Sequence, residues 1–331
     1  MTTFKEIRGT TIESVSSDPT NPETGQIWYN NTIGVLKGYD LTLAAWAAGG
    51  NMGTARRTFG SAGTQTAGLG FGGYISSPTF SNATEEYDGS AWAAGGNLPA
   101  GRYVLAGCGT QTAGLAFGGF NPGFVTSNAT NEYDGSAWGP GGNLNTARQY
   151  LAGCGTQTAG LAFGGETAPP TPVTTSATEE YDGSTWTSNP TGLGTARQRM
   201  GGAGTQTAGL AFGGGTVDGG TRTNVTEEYD GSSWTAGGNL NTSRNFLAGA
   251  GTQTAGLAFG GSIPPVSAAT EEYNGTSWTN STNLTTARSG LGGAGTQTVG
   301  LAFGGITATA NTAATEEYTG AFLSTKKITT S

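Results

Sequence analysis

The chain has 331 residues, 61 of them glycine and none histidine, with a formal net charge of −8. An acidic surface disfavours nucleic acid, which needs basic groups to replace phosphate counterions, and equally disfavours polybasic membrane contact. Without histidine there is no Ser-His-Asp or Cys-His catalysis, no His-ligated zinc or copper and no imidazole base, so no cofactor, metal site or catalytic residue is expected.

The start, Met1-Thr2-Thr3-Phe4-Lys5-Glu6-Ile7, lacks the apolar core of an export signal. No apolar run approaches the roughly 20 residues of a membrane span. Secretion and membrane insertion are therefore not expected. Gln26 to Asn30 and Val35 to Tyr39 read as a hairpin turning at Asn31-Thr32-Ile33-Gly34. Tyr39 and Trp46 echo a pattern that becomes regular further on. Residues 1–46 are expected as an N-terminal segment, either a degenerate blade or a docking or closing element, and 47–331 as one domain of six repeats.

Gly109-Thr110-Gln111-Thr112-Ala113-Gly114-Leu115-Ala116-Phe117-Gly118-Gly119 recurs almost unchanged from Gly155, Gly204, Gly251 and Gly295, and with one change, Gly70, from Gly63. The starts lie 46, 46, 49, 47 and 44 residues apart. A variable stretch follows each Gly-Gly, then a block such as Ala83-Thr84-Glu85-Glu86-Tyr87-Asp88-Gly89-Ser90-Ala91-Trp92. An arginine follows most tryptophans by ten residues, Arg56, Arg102, Arg148, Arg244 and Arg288, with Arg197 at eleven.

A period near 47 residues, rich in Gly and Thr and without a 3.6-residue apolar stripe, suits four short strands joined by turns. The first strand is expected to end near Thr110-Gln111 and the second to run from Ala113 to Gly119. The third would span Ala129 to Asp134, and the fourth would surround Trp138. Leu115 and Phe117 then share one face while Gly114, Ala116 and Gly118 share the other, so a bulky face can pack on the small-residue face of the next sheet. Asp88-Gly89 and its counterparts mark hairpins between the third and fourth strands.

A double glycine closing an apolar strand, followed by Tyr and Trp a few residues apart (Tyr87/Trp92, Tyr133/Trp138, Tyr181/Trp186, Tyr229/Trp234 and Tyr273/Trp278), resembles the kelch repeat. The resemblance covers roughly residues 46 to 323, with pairs spaced more closely than in most kelch repeats. It implies an all-β, kelch-like β-propeller of four-stranded antiparallel blades. Seven blades, the N-terminal one degenerate, are favoured over six closed by an N-terminal strand beside the C-terminal one. Residues 18–39, with Gly25-Gln26-Ile27-Trp28-Tyr29-Asn30 at their centre, resemble a segment of fibre and virion-surface proteins of tailed bacteriophages, including phages of marine cyanobacteria. That resemblance implies a virion component on a tail or capsid surface, either self-associated into oligomers or assembled with other virion proteins as partners; with no export signal at 1–7, it would be made in the host cytoplasm.

Glu86, Glu132, Glu180, Glu228, Glu272 and Glu317 recur in every third strand. With the six arginines they are expected to form a ring of ion pairs or backbone-directed hydrogen bonds between blades. Gln111 and its equivalents would satisfy backbone groups or line the axial channel. Cys108 and Cys154 fill slots that are alanine elsewhere and read as packing thiols.

Asymmetry is confined to the stretches Tyr74 to Asn82, Phe120 to Asn128, Glu166 to Ser176, Gly215 to Asn224, Ser262 to Ala268 and Ile306 to Ala313. They join equivalent strands and should emerge on one face. Tyr74, Phe80, Phe120 and Phe124, with Asn121 and Asn128 and Pro pairs at 169–170 and 264–265, offer aromatic platforms and amide partners suited to a host-surface glycan. The alternative is a set of loops free to drift because nothing packs on them.

The expected function is a non-enzymatic virion protein for attachment, with a soluble kelch-type lectin or interaction module of a bacterium as the alternative. The galactose-oxidase branch of kelch proteins needs histidine copper ligands that this chain lacks. A glycosidase would need two converging carboxylates.

Overall fold

The computed structural model describes residues 12–76, 79–123, 125–167, 172–216 and 221–328. Among these residues every regular element is a strand. The chain divides into two compact units, Trp46–Thr319 and a smaller one made of Met1–Ala45 with Gly320–Ser331.

In the larger unit each repeat folds as a four-stranded antiparallel sheet. In the second repeat Ala106–Gly109 pairs with Gly114–Phe117, that strand with Thr130–Tyr133, and Thr130–Tyr133 with Trp138–Pro140. Tyr133 pairs directly with Trp138, so the Asp-Gly signal sits in a four-residue loop. Asp134 Oδ1 accepts the N–H groups of Ser136 and Ala137 there, both at 2.8 Å, and Gly135 takes a φ of 91° that a side chain would resist.

The sixth sheet consists of Gly292–Gly295, Val299–Phe303 and Thr315–Thr319, with Ala45–Gly49 from the start of the unit as its outer strand. The innermost strands of the six sheets touch in chain order, and Gly292–Gly295 touches Gly60–Thr64, closing the circle. The result is an all-β, propeller-like ring. The seventh, N-terminal blade favoured from sequence is not in this ring. Trp46, read as its remnant, belongs to the sixth sheet and donates to Thr270 Oγ1 at 3.0 Å, as Trp138 donates to Thr84 Oγ1 at 2.8 Å. The reason is local: no tryptophan strand follows Thr315–Thr319, and its open edge needs a partner.

Adjacent sheets pack as the alternation predicts. Leu115 and Phe117 meet Ala162, Tyr181 and Trp186 of the next sheet in one buried cluster. A Cβ on Gly160 would lie 2.9 Å from Leu115 Cδ2, so the close approach depends on glycine. Phe117 and Trp186 meet with ring centroids 4.9 Å apart, a contact repeated around the ring. Cys108 and Cys154 are free and buried in the inner strands, and burial pushes both thiols up, Cys154 to about 12.

In the smaller unit Val35–Thr42 pairs with Ile27–Asn30 on one side and Phe322–Lys327 on the other, while Glu13–Val15 runs parallel to Ile27–Asn30. The expected hairpin is present, with Asn30 opposite Val35. The strand Phe322–Lys327, far away in sequence, thus completes this sheet. Asp18 accepts from Lys37 at 2.5 Å, Asn30 at 2.9 Å and the buried Trp28 at 3.1 Å, and these donors hold its carboxyl down at about 2.

Candidate functional site

The repeated polar residues of the larger unit form its frame. Arg148 is fully buried and donates to the carbonyls of Gly164 and Ala177, both at 2.8 Å, and to Glu179 at 2.8 Å. The other Glu179 oxygen accepts the N–H of Asn145 at 2.7 Å. This pair therefore ties the connection arriving from the previous sheet onto the sheet it enters. Arg56–Glu85, Arg197–Glu227, Arg244–Glu271 and Arg288–Glu316 repeat the pairing at 2.8–3.0 Å.

The partners are thus the first glutamate of each Glu-Glu, not Glu86, Glu132, Glu180, Glu228, Glu272 and Glu317, because successive strand residues point to opposite faces. These second glutamates instead bridge neighbouring sheets. Tyr87 donates to Glu317, Tyr133 to Glu86 and Tyr273 to Glu228 at 2.5 Å, and Tyr181 to Glu132 at 2.6 Å. Tyr229 donates to Glu180 and Tyr318 to Glu272. Burial, then the adjacent carboxylate, pushes Tyr87, Tyr133, Tyr181 and Tyr273 up to about 12.

The second repeat departs from the pattern. Asn131 stands where the others have glutamate, and Arg102 donates to its Oδ1 at 2.6 Å. Burial without a paired carboxylate lowers Arg102 to about 10. Gln111 reaches back to the preceding sheet, donating to the carbonyls of Gly68 at 3.1 Å and Tyr87 at 2.7 Å.

Antiparallel pairing places all loops between second and third strands, and all connections between sheets, at one end of this unit. Between each buried arginine and the apolar residue that precedes the inner strand lies a pair of residues that is different in every repeat: Arg57-Thr58, Tyr103-Val104, Gln149-Tyr150, Gln198-Arg199, Asn245-Phe246 and Ser289-Gly290. The second member of every pair is left-handed, with φ between 50° and 59°. Each donates its N–H to the carbonyl of its counterpart in the preceding repeat, Val104 to Thr58 and so on around to Thr58 on Gly290, at 2.7–2.9 Å. Six residues thereby form a closed circle of backbone hydrogen bonds.

A non-glycine residue in this region costs about 1–2 kcal/mol. Five of the six positions bear that cost and keep a side chain, a pattern associated with functional strain.

The side chains standing on this circle surround a cavity of about 370 Å³, lined among others by Arg57, Tyr74, Tyr103, Tyr150, Phe246 and Ile306. Tyr103 stacks on Phe80 with centroids 4.5 Å apart and meets Tyr74 at 5.8 Å and Phe120 at 5.7 Å. Three sequence candidates, Tyr74, Phe80 and Phe120, are thus gathered around a fourth aromatic that sequence reasoning passed over. Arg57 lies over the Tyr74 ring at 4.7 Å, and Arg199 over Tyr150 at 4.4 Å and Phe246 at 5.1 Å.

Glu166 is buried and accepts from Gln149 at 3.0 Å and Gln198 at 2.8 Å. Asn121 is half-buried, and its Oδ1 has no hydrogen-bond partner among the described residues. Asn128 is a strut that donates to the Leu144 carbonyl at 3.2 Å, as Asn82 does to Leu98 at 3.1 Å. Phe124, the proline pair at 169–170 and the start at 1–7 lie outside the described residues.

The circle was missed because its hydrogen bonds are made by backbone alone. The available signal was two changing residues inside an otherwise repeated Arg-x-x-apolar segment. Neither a protein-family model nor a curated protein matches this chain.

Proposed function

We propose that this chain is a non-enzymatic, kelch-type binding protein carried on the tail or capsid surface of a tailed-phage particle, where it docks on other virion proteins and contacts a host-surface glycan through its variable end. The observation that carries the binding reading is the circle at 58, 104, 150, 199, 246 and 290: five different side chains are kept where the backbone favours glycine. Aromatic rings with amide neighbours suit sugar faces and hydroxyls.

The kelch reading rests on the Gly-Gly closures and the Tyr/Trp pairs, and the virion reading on residues 18–39 and the near-identical repeats. What supports a non-catalytic role is that Glu166 faces amides, while the neighbouring first glutamates are committed to the repeat arginines. Glycoside hydrolysis needs two carboxylates across one bond. Several copies per particle would convert weak contacts into avidity.

The test is mass spectrometry of purified particles with cryo-EM to locate the chain. A stoichiometric copy number on a tail or capsid surface, variable end outward, is the expected result. Absence from particles favours a soluble kelch-type lectin instead.

A further inference from the structure

We propose that the cavity beside Arg57 takes an anionic sugar residue, its acidic substituent meeting the Arg57 guanidinium and its ring lying among the surrounding aromatic side chains. This rests on the glycan-binding reading above and specifies which glycans qualify.

The first support is how the larger unit places its cations. It contains no lysine, and its six repeat arginines are buried in the frame. The three arginines that remain, Arg57, Arg199 and Arg222, all lie at the variable end: two in the changing pairs, and Arg222 in a variable loop where it bridges Gly215. The turn aspartates Asp88, Asp134, Asp182 and Asp230 sit at the opposite end, each holding its own loop. The acids of the variable end are Glu166, which is buried and accepts from two amides, and Asp218 in the stretch that carries Arg222, so this end is less acidic than the opposite one and an anion is steered to it.

The second support is local. Arg57 lines the cavity, is half-buried, and has no carboxylate in ion-pair distance among the described residues; its guanidinium lies over the Tyr74 ring. A guanidinium laid against an aromatic ring keeps its N–H edge for a planar acidic group. Thr58 Oγ1, also in the lining, is buried without a hydrogen-bond partner among the described residues. The cavity exists because two of the smallest circle residues, Thr58 and Gly290, are neighbours, leaving a gap walled by Tyr74, Tyr103 and Ile306. Its rim is braced: Asn311 of the sixth repeat donates to the carbonyls of Tyr74 at 3.2 Å and Ile75 at 2.8 Å. A cavity of about 370 Å³ has room for one or two sugar rings.

The experiment is calorimetric titration of the full chain with paired methyl glycosides: glucoside against glucuronide, galactoside against galacturonide, and galactoside against its 6-sulfate. Binding of at least one acidic member about tenfold tighter than its neutral partner is expected, with the advantage shrinking as salt rises. The carboxylated and sulfated probes separate the two sources of the anion. Arg57→Gln should abolish the acidic preference, so that the acidic and neutral members of each pair bind the variant within about twofold of each other. Neutral sugars binding as well as acidic ones would overturn this inference and leave the glycan reading standing. No binding of any member, nor of any saccharide on a glycan array, would overturn both. The comparison of pairs uses the unaltered protein and does not depend on how the variant folds.

Discussion

At one end of the larger unit the turns between first and second strands read Thr-Gln-Thr in all six repeats; at the other end no two changing pairs are alike. Both ends link neighbouring sheets, by different atoms. Gln157 at the repeated end reaches the carbonyls of Gly114 at 3.1 Å and Tyr133 at 2.7 Å, so the link is a side chain and its identity is constrained. At the variable end Tyr150 links to Val104 through backbone N–H and C=O at 2.9 Å, which any residue but proline supplies. A backbone-made closure frees the side chains standing on it, and a side-chain-made closure freezes them. That difference allows one near-symmetric frame to carry an asymmetric surface.

The largest test of the frozen part is Arg244→Ala. It leaves Glu271 buried without its guanidinium and should cost about 3–5 kcal/mol in urea unfolding. A loss below 1 kcal/mol, on the order of a surface pair, would show that the pairs do not hold the connections.

Tyr181→Phe removes one staple to Glu132 and should cost about 2 kcal/mol by the same measurement. The staples also set an alkaline limit. A tyrosine raised from 10 to about 12 adds stability that is complete below pH 10 and disappears as pH climbs towards 12. The urea midpoint should therefore fall steeply across that window, less steeply in Tyr181→Phe; a flat profile would contradict the staples.

Asn131→Glu sharpens the comparison in the opposite direction. It supplies the one repeat that lacks a carboxylate with a partner for Arg102, and should raise stability by about 1 kcal/mol. An unchanged or lower midpoint would mean that Asn131 already satisfies the guanidinium.

The smallest effect is expected on the circle. Phe246→Gly loses partly exposed ring contacts but relieves a left-handed residue, and should move stability by no more than about 0.5 kcal/mol. A loss approaching that of Arg244→Ala would make the circle part of the frame.

Much of this frame was legible in the sequence because it is written in side chains that recur. The strand limits, the Leu115-on-Gly160 packing and the Asp-Gly loops follow from alternation and glycine placement. The partner of each arginine was misplaced by one residue, since adjacent glutamates look alike in a sequence and differ only in the face they take. The sixth sheet's closure by Ala45–Gly49 was read as the lesser alternative, because Tyr39 and Trp46 mimic a repeat while belonging to different units. At the candidate site the aromatics of the loops were visible, but the circle beneath them was not, for hydrogen bonds between peptide groups leave no residue signature.

The most direct test of the central claim, that the side chains on the backbone circle recognise the ligand, is a glycan array probed with the unaltered chain and with the double variant Tyr150→Gly, Phe246→Gly. The unaltered chain should bind, and the variant, with its unfolding free energy in urea changed by no more than about 1 kcal/mol, should lose at least about tenfold in affinity. A variant that folds and binds as well as the unaltered chain would contradict it.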